Sequence, residues 1–281
     1  MPATNRAGLL RKLLPHAVSI ALAVVFVLPT LWMVSTSLRA PGLPPPRNLE
    51  WLPNPPVWAN YARIFELVPL GRYTLNSLFV ASLAVALTLV TASWAGLSMA
   101  QMDERAGNRL VALSIGLLLI PITALWLARF VLFTWLGLID SHGALMAPAL
   151  MGSSPLFVLL FYWTFRRMPH EVFESARLDG ASAFMVWWRV ALPLARPTVV
   201  AIAVLTFLLY WSDFINPLLY LKSQSLYTLP VGLQQLQQLD KTNWPLLMAA
   251  AVVMTAPAAL MFLVAQRFFL HEDRLPGIGG P

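Results

Sequence analysis

The chain has 281 residues, 58% of them hydrophobic and only 11% charged. A soluble domain carries about 25% charged residues, so too little polar surface is present to coat a water-facing globule. The net charge of +7 comes without any basic run of the nucleic-acid type, and the lack of cysteine excludes disulfides, thiol nucleophiles and thiolate metal sites.

Six apolar segments follow one another, at about 16–37, 75–100, 110–133, 144–165, 197–221 and 245–266. Each is near the length that crosses a hydrocarbon core, about 20 residues of helix. Arg11 and Lys12 before the first run imitate a signal peptide, but the run 17–34 exceeds the usual h-region of about 7–15 residues and no A-x-A site follows. It reads as an uncleaved span. Pro29, Pro121, Pro148, Pro155 and Pro257 fall within or near the spans. Each removes a backbone donor and kinks a helix, which sets local shape or provides a hinge.

Orientation follows the basic residues. With the N-terminus inside, one side holds twelve of them (Arg6, Arg11, Lys12, Arg105, Arg109, Arg166, Arg167, Arg177, Arg189, Arg196, Arg267, Arg274). The other holds seven (Arg39, Arg47, Arg63, Arg72, Arg129, Lys222, Lys241). This predicts an inner, cytoplasmic membrane protein of several passes with both termini in the cytoplasm. His16, His142, His170 and His271 match no ligand spacing, so no metal-binding or catalytic residue is identified.

Two outer segments differ in character. Residues 39–73 are rich in proline and tryptophan and cannot form one long helix. Residues 222–244 are amide-rich and nearly uncharged, with Gly232 placed to end a turn. Gln234, Gln235 and Gln237 suit contact with a polar partner or a plain solvated loop.

The most informative stretch is the inner loop 168–193. Pro169 and Glu171 favour a helix start, Val172, Phe173, Ala176 and Leu178 supply its apolar positions, and Gly180 ends it. A second helix is expected from about Ser182 to Val190, halting before Pro193. The exposed face of the first helix would carry Glu174, Arg177 and Asp179.

The loop reads Glu174-Ser175-Ala176, three residues, Gly180, nine residues, Val190-Ala191-Leu192-Pro193. It resembles the EAA motif of ATP-binding-cassette importer permeases, with Ser for Ala and Val for Ile at unchanged spacing. Residues 176–182, 192–197, Trp211-Ser-Asp-Phe-Ile-Asn-Pro-Leu218 and 229–233 look like carbohydrate-importer permeases of the maltose type, nearer the MalG-like than the MalF-like partner. The resemblance covers about residues 70–268.

The resemblance implies an all-α, six-helix type I importer permease fold. Its parts are an N-terminal tail, first span and outer loop at 1–69, a transmembrane domain at 70–268 and a cytoplasmic tail at 269–281. The tail departs from the family, whose Gly-rich, Lys-containing end contacts the ATPase. The expected partners are a second MalF-like permease, two ATPase subunits that bind ATP and Mg, an extracytoplasmic solute-binding protein and the lipid bilayer. This chain itself has no G-x-x-x-x-G-K-[ST] loop and binds no cofactor. Glu174, Ser175, Ala176, Arg177, Asp179, Gly180, Val190, Leu192 and Pro193 would couple it to the ATPase, and the 222–244 loop would probe the binding protein.

Asp213 lies 16 residues past Pro197, about 24 Å along a helix, which places it in the outer third of the fifth span. It could bind sugar hydroxyls, pair with Arg129 or snorkel outward; Trp211 and Asn216 flank it, and Trp211 also reads as an interface anchor. The solute is expected to be a sugar or oligosaccharide; polyols and glycerol phosphates use closely similar permeases. An ion-gradient-driven transporter would need buried coupling charges, for which only Asp213 and Arg129 qualify.

Overall fold

The computed structural model describes residues 6–46 and 51–269, and among these every regular element is helical. In chain order they are α1 (Arg6–Ser37), α2 (Asn60–Leu67), α3 (Leu70–Ala100), α4 (Glu104–Leu118), α5 (Trp126–Trp135), α6 (His142–Met146), α7 (Pro155–Arg166), α8 (His170–Leu178), α9 (Ala183–Met185), α10 (Leu192–Leu194), α11 (Arg196–Trp211), α12 (Ile215–Tyr220), α13 (Leu229–Leu239) and α14 (Trp244–Phe269). Four stretches are long and apolar enough to cross a bilayer: Leu14–Ser37, Leu70–Ala100, His142–Arg166 and Trp244–Phe268. Two bent pairs, Glu104–Leu118 with Ile122–Trp135 and Ala183–Leu194 with Arg196–Trp211, pass the same test together and give six spans where each pair counts as one. Residues 270–281 of the expected 269–281 tail, with His271 and Arg274, and Arg47 lie outside the described residues.

The chain divides into two compact units, one of residues up to Leu70 with Leu233–Thr255, the other of Gly71–Gly232 with residues from Ala256 on. In the first, the end of α1 is closed by a side chain from the proline-rich segment. A helix end leaves its last carbonyls without partners. Asn60, almost fully buried, donates from Nδ2 to the carbonyls of Ser37 and Arg39, each at 2.8 Å. The Ser37 hydroxyl and Tyr61 OH are 2.7 Å apart. As the composition of 39–73 requires, its described residues, 39–46 and 51–73, are irregular apart from α2 and the first turn of α3.

In the second unit α3 and α7 cross at close range. A Cβ on Gly96 would stand 2.6 Å from Phe161 Cβ, 2.8 Å from the Tyr162 nitrogen and 2.9 Å from the Val158 carbonyl oxygen. Small residues at helix crossings are the usual means of close approach in membranes. Hydroxyls bridge the neighbouring contacts. Thr91 donates to the Ala149 carbonyl at 2.7 Å, the Thr164 and Thr198 hydroxyls are 2.8 Å apart, and Ser153 Oγ lies 3.0 Å from Tyr210 OH. Arg166 donates to the Ala100 carbonyl at 3.1 Å and closes the end of α3.

Several sequence expectations need correction. The third span is not a continuous helix at 110–133: α4 ends at Leu118, and the chain turns by 87° before continuing. Pro121 removes a donor and disfavours helix at the residue before it. The fifth span does not run unbroken to residue 221; α11 stops at Trp211 and α12 begins at Ile215. The Ser212 hydroxyl bonds back to the Leu208 carbonyl at 2.7 Å, a local bond that competes with helix continuation. Within the fourth span Pro148 and Pro155 each sit in the first turn of a short element, where the missing N–H costs nothing. Gly232 does not end a turn; it is buried inside α13, with its N–H on the Thr228 carbonyl.

The crossing at Gly96 yields a direct test. Gly96→Ala is expected to lower stability by about 1–3 kcal/mol, because backbone atoms of α7 must move. Gly116→Ala, where an added Cβ meets nothing within 4 Å, is expected to be neutral or slightly stabilising. Thermal unfolding of the detergent-solubilised protein, followed by fluorescence-detected size exclusion, compares the two; equal melting temperatures would show that the crossing is looser than described.

Candidate functional site

The 168–193 loop folds as two short helical arms joined by a turn. Pro169 precedes α8 in extended conformation and Glu171 lies in its first turn, where a negative charge is favourable. At the other end the N–H of Gly180 meets the Arg177 carbonyl and that of Ala181 the Ala176 carbonyl, each at 3.0 Å. This paired closure is a Schellman motif and requires a left-handed residue, met by Gly180 at φ +81°. An added Cβ there would touch nothing within 4 Å, so backbone conformation selects glycine, not space.

The arms divide their residues between core and solvent. Phe173 on α8 is buried in a cluster with Phe165, Phe161 and Trp187. Glu174, Ser175, Arg177 and Asp179 are exposed, as the sequence suggests. Leu178 is not an apolar packing position: it is 88% exposed, since the helix ends before its side chain can turn inward. Arg177 donates from Nη2 to the Gln101 side chain at the end of α3.

The second arm is longer than expected. Ser182 caps α9 by accepting from the Met185 N–H at 3.3 Å. Residues Val186–Ala191 then form a π-helical turn in which the Leu192 N–H reaches the Trp187 carbonyl. The helical path does not halt before Pro193 but continues to Leu194. The widened turn gives the proline ring room, and Pro193 falls in the first turn of α10. Val190 and Leu192 are half-buried against the core, whereas Pro193 is exposed.

Trp187, which the motif does not include, fastens this arm. It is 3% exposed, its Nε1 donates to Ser93 Oγ of α3 at 2.9 Å, and its ring meets Trp94 edge-on at 5.2 Å. Its neighbour Trp188 is exposed, and the sequence alone does not distinguish the two.

Asp213 and Asn216 line a cavity of about 380 Å³ with Arg129, Tyr210, Tyr220 and Trp126. Trp211 is not part of it; it is buried and stacked on Phe207, centroids 5.5 Å apart. Asp213 is not carried on a continuous helix. Its Oδ1 accepts from the Asn216 N–H at 3.2 Å and its Oδ2 from Asn216 Nδ2 at 2.8 Å, so it closes the first turn of α12. Asn216 Oδ1 and Tyr220 OH are buried without a partner.

A third constellation gathers the 137–142 turn and the 220–229 segment. Asp140, at φ +61°, accepts from the N–H groups of Lys222 at 2.9 Å and Ser223 at 2.7 Å, and from the Ser223 hydroxyl. His142 Nε2 lies 2.9 Å from the Leu226 carbonyl, and Asn76 donates to the Ser225 and Tyr227 carbonyls at 3.0 and 2.9 Å. The segment leads into α13, whose Leu229 N–H is held by Ser77 Oγ at 2.8 Å. Along α13, Gln234 and Gln235 are half-buried and Gln237 is exposed.

The family model for binding-protein-dependent transport system inner membrane components matches residues 88–271. The sulfoquinovosyl glycerol transport permease SmoH of Agrobacterium fabrum is 29% identical over 252 residues, 90% of this chain and 88% of that one. The arabinooligosaccharide transport permease AraQ of Halalkalibacterium halodurans is 31% identical over 205 residues, 73% of each chain. A chain of a crystallised bacterial ABC transporter involved in import of the acidic polysaccharide alginate superposes with a TM-score of 0.76 at 17% identity, covering 96% of this chain and 100% of that one. That likeness extends to the fold.

Asp140 gives a pH test. The Ser223 hydroxyl first, then the N–H groups of Ser223 and Lys222, hold its carboxyl below the ordinary carboxylate range. A depressed folded value adds stability above the unfolded pKa of about 3.9 and loses it as pH falls through the lower folded value. The melting temperature is therefore expected to fall more steeply below about pH 4 in the wild type than in Asp140→Asn; parallel curves would remove Asp140 from the acid response.

Proposed function

The chain belongs to the family of binding-protein-dependent transport system inner membrane components, and from that premise we propose that it is the MalG-like subunit of a bacterial carbohydrate importer, coupled through the 168–193 loop to separate ATPases. The family is one of permeases, so the chain catalyses no reaction. Its relatives named for sulfoquinovosyl glycerol and arabinooligosaccharides support a sugar or oligosaccharide as cargo. An ion-gradient mechanism is disfavoured because the matched family is one of binding-protein-dependent transport systems.

The observation that carries the coupling role is the exposed face of α8. A nine-residue helix presents Glu174, Arg177 and Asp179 to solvent while Phe173 roots it in the core. In the proposed complex this face enters a cleft on an ATPase subunit, where Glu174 meets a basic side chain and ATP and Mg belong to the partner. Both termini and the loop lie in the cytoplasm, a MalF-like permease completes the pathway, and the amide-bearing α13 probes an extracytoplasmic binding protein through Gln237.

Glu174→Arg is expected to abolish solute-stimulated ATP hydrolysis in the reconstituted complex while the two permeases stay assembled. Hydrolysis and ATPase co-purification at wild-type levels would exclude α8 as the coupling element. Deletion of residues 233–240 is expected to stop uptake but leave the ATPases bound; normal uptake by that deletion would remove α13 from the transport cycle.

A further inference from the structure

Two broken spans meet at one cavity. The segment after Pro121 contributes Ile122 and, from α5, Trp126 and Arg129, and the segment after Trp211 contributes Asp213 and, from α12, Asn216. Irregular backbone at membrane depth is tolerated where it is buried in protein or lines a water-filled space, and transporters place solute sites at such broken helices. The volume, about 380 Å³, falls within the range of small-molecule sites, about 300–1,000 Å³.

The charges within it are not equivalent. Asp213 has both oxygens engaged by Asn216. Arg129 offers five N–H donors in a fixed fork, and among the described residues no hydrogen bond or ion pair engages it. A guanidinium inside a span is costly unless it faces a polar cavity and finds a counter-charge. Nearby, Asn216 Oδ1 and the OH of Tyr220, itself 1% exposed, are buried and unpartnered. Native structures leave few such groups, and those that persist call for an explanation. Trp126 and Phe133 supply apolar faces.

We infer that this cavity is a solute subsite of the chain itself, and that Arg129 fits it to an acidic sugar whose carboxylate or sulfonate forms a bidentate pair with the guanidinium. Arg–oxyanion forks are the strong, oriented class of hydrogen bond. The sugar ring packs on the aromatic side chains that line the cavity. The inference rests on the permease reading and narrows its cargo.

The chain has no cysteine, so Ser212→Cys, on the cavity wall, places one thiol in it. The complex is assembled with its partner permease and ATPases, and labelling of this thiol by a maleimide is timed on this chain's own gel band. Two probes are compared: a hexuronate disaccharide and the neutral disaccharide of the same linkage. The acidic probe is expected to slow labelling about tenfold, the factor a charge-assisted hydrogen bond supports, and the neutral probe less than about twofold. Arg129→Gln is expected to abolish the difference, and Arg129→Lys, which keeps the charge without the fork, to retain part of it.

Equal protection by both sugars, no protection by either, or protection that survives Arg129→Gln would overturn the inference. So would recovery of wild-type protection in the swap Arg129→Asp with Asp213→Arg, which marks the two as a conformational latch. Co-purification of the ATPases reads the permease assignment separately, since their absence sinks that assignment whatever the thiol does.

Discussion

In a hydrocarbon solvent no water stands by to satisfy a backbone N–H or carbonyl, so each interruption of a helix must bring its own partner. Several interruptions among the described residues carry a polar side chain that supplies one. Where α1 ends, Asn60 takes the carbonyls of Ser37 and Arg39. At the end of α3, Arg166 takes that of Ala100. Ser212 bonds back onto α11, and Asp213 closes the first turn of α12. In the 137–142 turn Asp140 collects two N–H groups and a hydroxyl. Inside the helices, hydroxyls such as those of Thr91 and the buried Ser93 bond back to their own helix or across to a neighbour.

The same economy shapes the 168–193 loop. Its exposed face is free for a partner because its other face is fixed twice, by Phe173 in the core cluster and by Trp187 on Ser93. A displacement of α8 must carry these anchors with it or tear a buried hydrogen bond and an aromatic cluster. Through Trp187 the load falls on α3, which in turn crosses α7 at Gly96 with no spare room. Packed interfaces of this kind move as blocks instead of deforming. In the proposed coupling, the lever therefore includes the second span as well as the fourth and fifth.

Features set by local chemistry were legible in the sequence. Gly180 announced a left-handed helix stop, and Pro169 with Glu171 announced a start. Apolar run lengths placed the first, fourth and sixth spans to within a few residues. What failed was continuity. Hydropathy is blind to a break when the residues on both sides remain apolar, so the turn near Pro121 and the stop after Trp211 were hidden inside runs that read as single helices. Trp187 was hidden for a related reason: a tryptophan near the membrane surface reads as an interface anchor, and only the neighbouring Ser93 hydroxyl reveals its partner.

The hidden break changes the meaning of the ionisable pair. On a continuous helix Asp213 would be a lone carboxylate in the outer third of a span, and the function-bearing charge by default. With the helix broken, the carboxylate has structural work: the N–H and the side-chain amide of Asn216, freed by the new helix start, both need an acceptor. Arg129, on the short α5 that follows the other break, has no such task. Both residues reach the same cavity, yet only Arg129 brings unengaged donors to it. Under the proposed solute subsite, that difference follows from two breaks that hydropathy does not see.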